Sequence, residues 1–338
     1  FWKVLIVSNT TQIGDSTNVS TVGSTRPETN ESRSHFVWIF LALAALVAVL
    51  PAFAYPLFLM KVMCFAIFAI GFNLLLGYCG LLSLGHAAFF GAGGYTAAFV
   101  AVKWGFPPEL VVLCGVIAST LVGAAFGLLA IRRHGIYLTM ITLGLAQMVY
   151  FIVFQSPYSG AEDGIQGVPR GVLFGHADLR NDMTLYFVVS VVFMVVLLAS
   201  YRLTYSPFGQ VLRAVRDSES RATSLGLNVR AIKLTVFTIS AAVSGLAGAM
   251  KAVIFQIATL VDVHLTTSGE VLLMTLIGGV GTVLGPVVGA AVLVTSQNYL
   301  AGFGQWVTFI QGFIFVVSVL AFREGIVGLL ARLWRRPL

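Results

Sequence analysis

Nine runs of this sequence, residues 36–54, 57–77, 84–102, 109–131, 135–154, 184–201, 231–255, 283–297 and 305–322, are predominantly apolar. Most reach the ~20 residues that carry a helix across a ~30 Å hydrocarbon layer. Apolar residues make up 58% of the chain and charged residues 10%, with a mean hydropathy of +0.94. Soluble domains sit near roughly 45–50% and 25%. The runs are continuous and do not alternate, which excludes the period-two pattern of an outer-membrane barrel. The expected fold is all-α: a polytopic integral membrane protein.

Residues 1–35 break the pattern. They are rich in Ser, Thr and Asn with scattered charges, a composition that predicts a disordered polar tail. The apolar run of residues 1–7 is too short for a signal peptide, and no small-residue cleavage site follows it closely. The Asn-x-Ser/Thr triplets at Asn9, Asn18 and Asn30 are what such a composition produces by chance. Cys64, Cys79 and Cys114 lie singly in apolar segments, without metal or disulfide spacing, and read as small packing residues.

Orientation follows from the basic residues, which short loops retain on the cytoplasmic side. That places Arg132, Arg133, the cluster from Arg202 to Lys233, and Arg323, Arg332, Arg335 and Arg336 on one side. Returning Arg323 to that side requires an odd number of crossings after the helix of residues 231–255 has left it. The stretch 270–300 supplies it if it breaks at Gly278-Gly279-Val280-Gly281 into a half-span and a fuller one. The result is ten membrane segments with both termini cytoplasmic, leaving Lys61, Lys103, Arg170, Arg180 and Lys251 outside or at outer helix ends. Residues 71–98 have a similar texture, an apolar run that breaks at glycines and restarts, and this is a faint internal repeat. Both units belong in the interior, because irregular backbone at membrane depth must be buried or solvated. Gly281, Gly285 and Gly289, and Gly123 and Gly127, fall four apart and read as tight helix-packing faces.

Residues 206–233 carry a concentration of charge otherwise foreign to the chain. Pro207 can start a helix in which Phe208, Val211, Leu212 and Val215 share one face while Gln210, Arg213 and Arg216 take the other. Asp217 and Arg221 form an acid-then-base pair four apart, and Gly226 is a helix stop. A solvated basic loop, an interfacial helix on anionic lipid and a docking element for a cytoplasmic partner are all compatible with these residues.

Here the residues resemble a family. SPFGQVLRAVRDSESRATSLGLNVRAIKLTVFTISAAVSGLAGAM is similar to the cytoplasmic loop and following helix of bacterial ABC importer permeases for branched-chain amino acids, the LivM type. Four further motifs follow the family's order: GFNLLLGYCGLLSLGHAAFFGAGGYTAA, RRHGIYLTMITLGLAQMVY, GAEDGIQGVPR and SGEVLLMTLIGGVGTVLGPVVGA. Residues 1–35 have no counterpart in it and are expected to be an extension of the cloning or start-site kind. The resemblance implies a permease domain over 36–322, a coupling loop over 203–230 and a basic cytoplasmic tail over 323–338, in a bacterial inner membrane. It implies that Arg213, Arg216, Asp217, Glu219, Arg221, Ala222, Leu225 and Gly226 form the surface that seats in an ATPase. Phe208, Leu212 and Val215 would then be the apolar anchors in the partner's groove. The implied partners are a second homologous permease, two ATPase subunits that use the ATP, a periplasmic binding protein and the lipid bilayer, and not nucleic acid. The outer loop 156–182, with Glu162, Asp163, Asp178 and Asp182, is expected to meet the binding protein. The implied substrates are aliphatic amino acids, with urea or short-chain amides as the alternative cargo.

The chain has no G-x-x-x-x-G-K-[ST] phosphate loop, no nucleophile elbow and no zinc motif, so neither catalytic residues nor a bound cofactor or metal is expected. A proton- or sodium-driven carrier would place ionisable groups at midplane, where each costs at least ~2.5–3.5 kcal/mol. The segment interiors hold almost none, Lys61 and Lys251 being placed to snorkel. A passive channel fits the composition but gives no use for the loop. The substrate-pathway candidates are the polar groups in apolar surroundings: Asn73, Ser83, His86, Thr139, Gln147, Glu270 and Thr275. Asn73, Thr139 and Gln147 serve equally as interhelical hydrogen-bond partners. Thr267 with Glu270 reads as a capping box, which competes with a substrate-facing role for the acid. Cysteines introduced at Arg213 and Arg221 should react with a membrane-impermeant thiol reagent only from the cytoplasmic side, and labelling from the periplasm would reverse the topology.

Overall fold

The computed structural model describes residues 31–300 apart from 134, 174 and 176, with short pieces beyond 300; of residues 31–39 only the backbone is described. The polar stretch 1–30 and most of the expected segment 305–322 and basic tail 323–338 lie outside the described residues. Contacts divide the chain into residues 1–41 and 42–338, and the helical body belongs to the second. One boundary is corrected at once: residues 31–35, expected in the tail, already belong to helix α1 (Glu31–Val49). Nothing in Glu-Ser-Arg-Ser-His breaks a helix that the following apolar run propagates, and the leading acid suits the positive end.

Helix α2 (Pro56–Asn73) starts with Pro at its first turn, where the missing N–H costs nothing, and runs into a π-turn, Leu74–Tyr78. It is apolar all round, and from Met63 to Asn73 every residue is buried, as expected of a central helix. Helix α3 (His86–Phe99, followed by a π-turn Val100–Trp104), α4 (Pro108–Ala130) and α5 (Ile136–Gln155) come next. After them run α6 (Asp182–Tyr205), α7 (Pro207–Asp217), α8 (Glu219–Ser224) and α9 (Val229–Phe255). Helices α10 (Leu265–Gly278) and α11 (Gly285–Leu300) follow. α9 packs on α2, α3 and α4, while α6, α10 and α11 cover other sides of α2.

Five helices among the described residues are long and apolar enough to cross a membrane: Pro56–Tyr78, α4, α5, α6 and α9. α3, α10 and α11 are shorter. α10 has 14 residues, about 21 Å of helix. α5 leaves Ile136, Tyr137, Met140, Met148, Phe151 and Ile152 exposed, a face suited to lipid and to little else.

What lets the central helices come together is the absence of side chains. A methyl group on Gly248 of α9 would collide with the Phe90 carbonyl of α3, one on Gly93 with the backbone of Gly245, and one on Gly123 with Ala241. On Gly115 it would stand 2.6 Å from the Gly93 carbonyl oxygen. α3, α4 and α9 therefore meet backbone to backbone, the geometry small residues permit. Gly123, Gly127 and Gly289 pack as their spacing predicts, the last against the Met274 carbonyl. Gly281 does not: it lies in the break with φ 78°, where the left-handed backbone calls for glycine. Cys64 and Cys79 are buried packing residues, as read.

The break expected at Gly278–Gly281 is present, between α10 and α11. At the opposite end of α9, about 40 Å from its start over 27 residues, the outer loop is tied down by strands β1 (Ile165–Gln166) and β4 (Ile257–Ala258). A hairpin of β2 (Val172–Leu173) and β3 (Ala177–Asp178) lies within the same loop. Arg170 fixes it further, pairing with Asp182 at 2.6 Å and donating to the Ile254 carbonyl at 2.7 Å. Lys251, expected at an outer end and free to snorkel, instead forms a buried ion pair with Asp262, brought over it by the short turn Leu260–Val263. Its ammonium stands 5.9 Å from the Phe90 ring centre.

Gly248→Ala should lower stability by at least the ~1–3 kcal/mol of an overpacked core, because its obstacle is backbone and cannot rotate away. Gly144, with nothing near its added methyl, should tolerate Ala. Thermal denaturation of both variants in detergent checks the contrast.

Candidate coupling site and pathway residues

Ser206 accepts from the Gly209 N–H and starts α7 with Pro207 in the first turn; Ser218 ends it and accepts from the Arg221 N–H to start α8. The extended backbone of Ser218 separates Asp217 from Arg221, so the expected acid–base pair does not form, and Asp217 sits 3.5 Å from Arg216 instead. α8 ends at Ser224, with Gly226 left-handed just beyond, as its stop role requires.

The apolar face of α7 is turned inward. Leu212 is 1% exposed, in one cluster with Leu74, Tyr78 and Phe237, and the half-buried Phe208 packs on that cluster. Val215 packs with Ala222 and Val229. Two of the three arginines expected on the docking surface, Arg213 and Arg216, also touch the chain's own helices. Arg213 lies over the rings of Tyr78 and Tyr205 at 5.6 and 5.7 Å, and Arg216 donates through Nη1 to the Gly77 carbonyl at 2.6 Å. Glu219 pairs at 2.7 Å with the buried Lys233 of α9. Of the expected docking residues Arg216, Asp217, Arg221, Leu225 and Gly226 are exposed, whereas Ala222 is buried against Val215 and Val229, which removes it from that surface. A pocket of about 310 Å³ brings Arg132, beyond α4, beside Glu219, Arg230 and Lys233, so three of the basic residues assigned to one side lie together.

The pathway candidates prove to be mostly internal fasteners. Asn73 donates to the Thr282 carbonyl and accepts from the Gly281 N–H, both at 2.9 Å, which spends its amide on the second glycine break. His86 is fully buried at the start of α3, edge-on to Phe72 and Phe89. Its Nε2 lies 2.8 Å from the Ser240 hydroxyl, which itself donates to the Gly71 carbonyl at 2.6 Å. A hydroxyl has one hydrogen, so His86 Nε2 is the donor in that pair. Ser83 accepts from the Gly85 N–H at 3.2 Å and Thr139 donates to the Leu82 carbonyl at 3.0 Å, both holding the 79–85 turn. Thr275 is buried and bonds back to Val271 within its helix. Gln147 is half-buried on α5.

Glu270 does not cap. α10 begins at Leu265 with His264 accepting from Thr266, so the expected capping box lies inside the helix; Thr267 donates to the Val261 carbonyl and Glu270 accepts from Gln297 of α11 at 3.0 Å. The capping box that exists is Thr259 with Asp262, one turn of structure earlier. Glu270 is the one pathway candidate whose charged group is half-buried beside other charges, those of Lys61, Lys251 and Asp262.

The family described as branched-chain amino acid transport system / permease component matches residues 54–319. The chain belongs to this family. It is 28% identical over 287 residues to the high-affinity branched-chain amino acid transport system permease protein LivM of Escherichia coli, covering 78% of this chain and 68% of that one. It is 20% identical over 287 residues to LivH of the same organism, covering 78% and 91%, and 27% identical over 232 residues to the fructose import permease protein FrcC of Rhizobium meliloti, covering 64% and 63%. No solved structure matches.

In this permease the anchors expected for a partner groove, Phe208, Leu212 and Val215, are corrected to anchors in its own core. An amphipathic pattern states that a face is buried and not against what. Sequence reading also missed Ser268, whose Oγ accepts from the Ala87 N–H at 2.9 Å and so fastens α3 to α10, and Ser240, which joins α9 to α2. The run Ser240, Ser244, Gly245, Gly248 along one face was the available signal. His86→Leu should leave Ser240 without its donor and destabilise the permease by about 1–3 kcal/mol while leaving the transport KM unchanged, checked by denaturation and uptake on the same preparation.

Proposed function

We propose that this permease is a membrane-spanning subunit of a binding-protein-dependent ABC importer for aliphatic, branched-chain amino acids. The relatives support the cargo: two of the three named above are branched-chain amino acid permeases. The carrying observation is the two-sided α7–α8 element: its inner face is bound into the membrane helices while Asp217, Arg221 and Leu225 stand outward, Leu225 being 79% exposed. Outward charges beside one apolar side chain, on an element whose other face is already buried, form the mixed surface that a soluble partner's interface takes.

On this reading α7 and α8 seat on one of two ATPase subunits that consume the ATP, and a second, homologous permease completes the pore. The charge rule supports ten segments with cytoplasmic termini, and the family resemblance supports a bacterial inner membrane. The strand-tied outer loop, with Glu162 and Asp163 exposed, would receive the periplasmic binding protein. Glu270 is the pathway residue retained, poised to favour a substrate ammonium.

Leu225→Asp should abolish co-purification of the ATPases while the permease still folds, and uptake by the assembled system should follow leucine and valine and not urea. Leu212→Asp should instead prevent folding, since it buries a charge among Leu74, Tyr78 and Phe237. Normal ATPase association in Leu225→Asp would remove the docking role.

A further inference from the structure

Two broken helices meet beneath one arginine. The first break follows the π-turn Leu74–Tyr78: Gly80, left-handed at φ 72°, donates to the Leu76 carbonyl at 3.1 Å and Leu81 to the Leu75 carbonyl at 3.2 Å. The Gly77 carbonyl at the same end takes its hydrogen bond from Arg216 Nη1 at 2.6 Å. The side chain reaches it by lying on Gly80, where an added methyl would stand 2.8 Å from Arg216 Cγ. A methyl on Gly281, in the second break, would be 3.7 Å from Arg216 Nη1 and 3.3 Å from the Gly77 oxygen. Asn73 ties the breaks together from below through Thr282 and Gly281.

The chemistry suits arginine in particular. A helix C-terminus presents carbonyl oxygens and partial negative charge, and a guanidinium offers a permanent positive charge with donors on a flat, thin head. Glycine at 80 leaves room for the arginine stem, and glycine at 77 lets the second break come against the first, where an added methyl would stand 2.6 Å from the Gly281 nitrogen. Arg213, one turn earlier, lies over Tyr78, the next residue of the same broken end.

We propose that Arg216 is a positioning residue that makes α7 and the two glycine breaks move as one body, so that a displacement of α7 is delivered to both broken helices at once. This rests on the reading that α7 and α8 seat on an ATPase. The first break cannot shift relative to α7 without stripping the Gly77 carbonyl of its charged donor, and Asn73 ties the second break to the first.

The test is made on the complete assembly in liposomes, with Arg216→Ala and Arg216→Lys. ATPase co-purification and basal hydrolysis should match wild type in both, which a failure of the docking reading would not allow. The ratio of hydrolysis stimulated by substrate-loaded binding protein to basal hydrolysis, with uptake per ATP, should fall about tenfold in Arg216→Ala, the scale of one charge-assisted bond, and less in Arg216→Lys. Combining Arg216→Ala with Asn73→Ala should add little to the loss of coupling, since both act on the same pair of breaks. Wild-type stimulation in Arg216→Ala, or in Arg216→Lys if the alanine variant does not fold, overturns the proposal. So does loss of ATPase co-purification in either, which would place Arg216 on the docking face.

Discussion

A backbone amide in hydrocarbon has no water to fall back on, and every interruption of a helix at membrane depth must find its partners within the protein. This permease interrupts its helices twice near the same place, after Tyr78 and after Gly278. The interior is arranged around satisfying those two interruptions. Asn73 supplies a donor and an acceptor to the second, Thr282 bonds both the Gly279 carbonyl and the Gly285 N–H across it, and Thr139 and Arg216 serve carbonyls of the first. Ser268, from α10, meets the N-terminus of α3 where the first chain restarts. The breaks are therefore cross-braced, each partly completed by the helix that carries the other.

Close packing keeps that bracing stiff. α3, α4 and α9 meet through Gly93, Gly115, Gly123, Gly245 and Gly248, with backbone in contact and little side chain to re-pack. Such a block transmits a push and does not absorb it, since interiors at native density deform little. Softness lies at its margins: α5 is packed along one side only, and the α7–α8 element joins the block through a few apolar residues, two arginines and the Glu219–Lys233 ion pair. Motion imposed on α7 then has two outlets, the breaks it touches and the lipid-facing helices beside them.

Much of this was legible in the sequence because it rests on local chemistry. Pro207 opening α7, Gly226 beyond α8, the break at Gly278–Gly281 and the packing glycines at 123, 127 and 289 all follow from backbone preference or spacing. The roles that depend on tertiary partners were not. Leu212 and Val215 announce a buried face, but only the fold shows Leu74, Tyr78 and Val229 waiting for it. Thr267 and Glu270 have the spacing of a cap, yet His264 starts the helix first. Lys251 looks like a snorkelling lysine until the turn at Leu260–Val263 lays Asp262 against it. His86 and Asn73, picked out as polar groups in apolar surroundings, were correctly noticed as exceptional; whether such a group faces a pathway or a neighbour is decided by residues more than 150 positions away.

The central claim is that α7, α8 and the paired glycine breaks form one mechanical unit. Spin labels at exposed positions Ser220 on α8 and Val280 in the second break, with a second pair at Ser220 and Met148 on α5, measure it by pulsed electron resonance through the ATP cycle. The account predicts a Ser220–Val280 distance that stays constant between nucleotide-free and ATP-bound assemblies while the Ser220–Met148 distance changes. A Ser220–Val280 distance that changes with nucleotide, with Ser220–Met148 fixed, would contradict it.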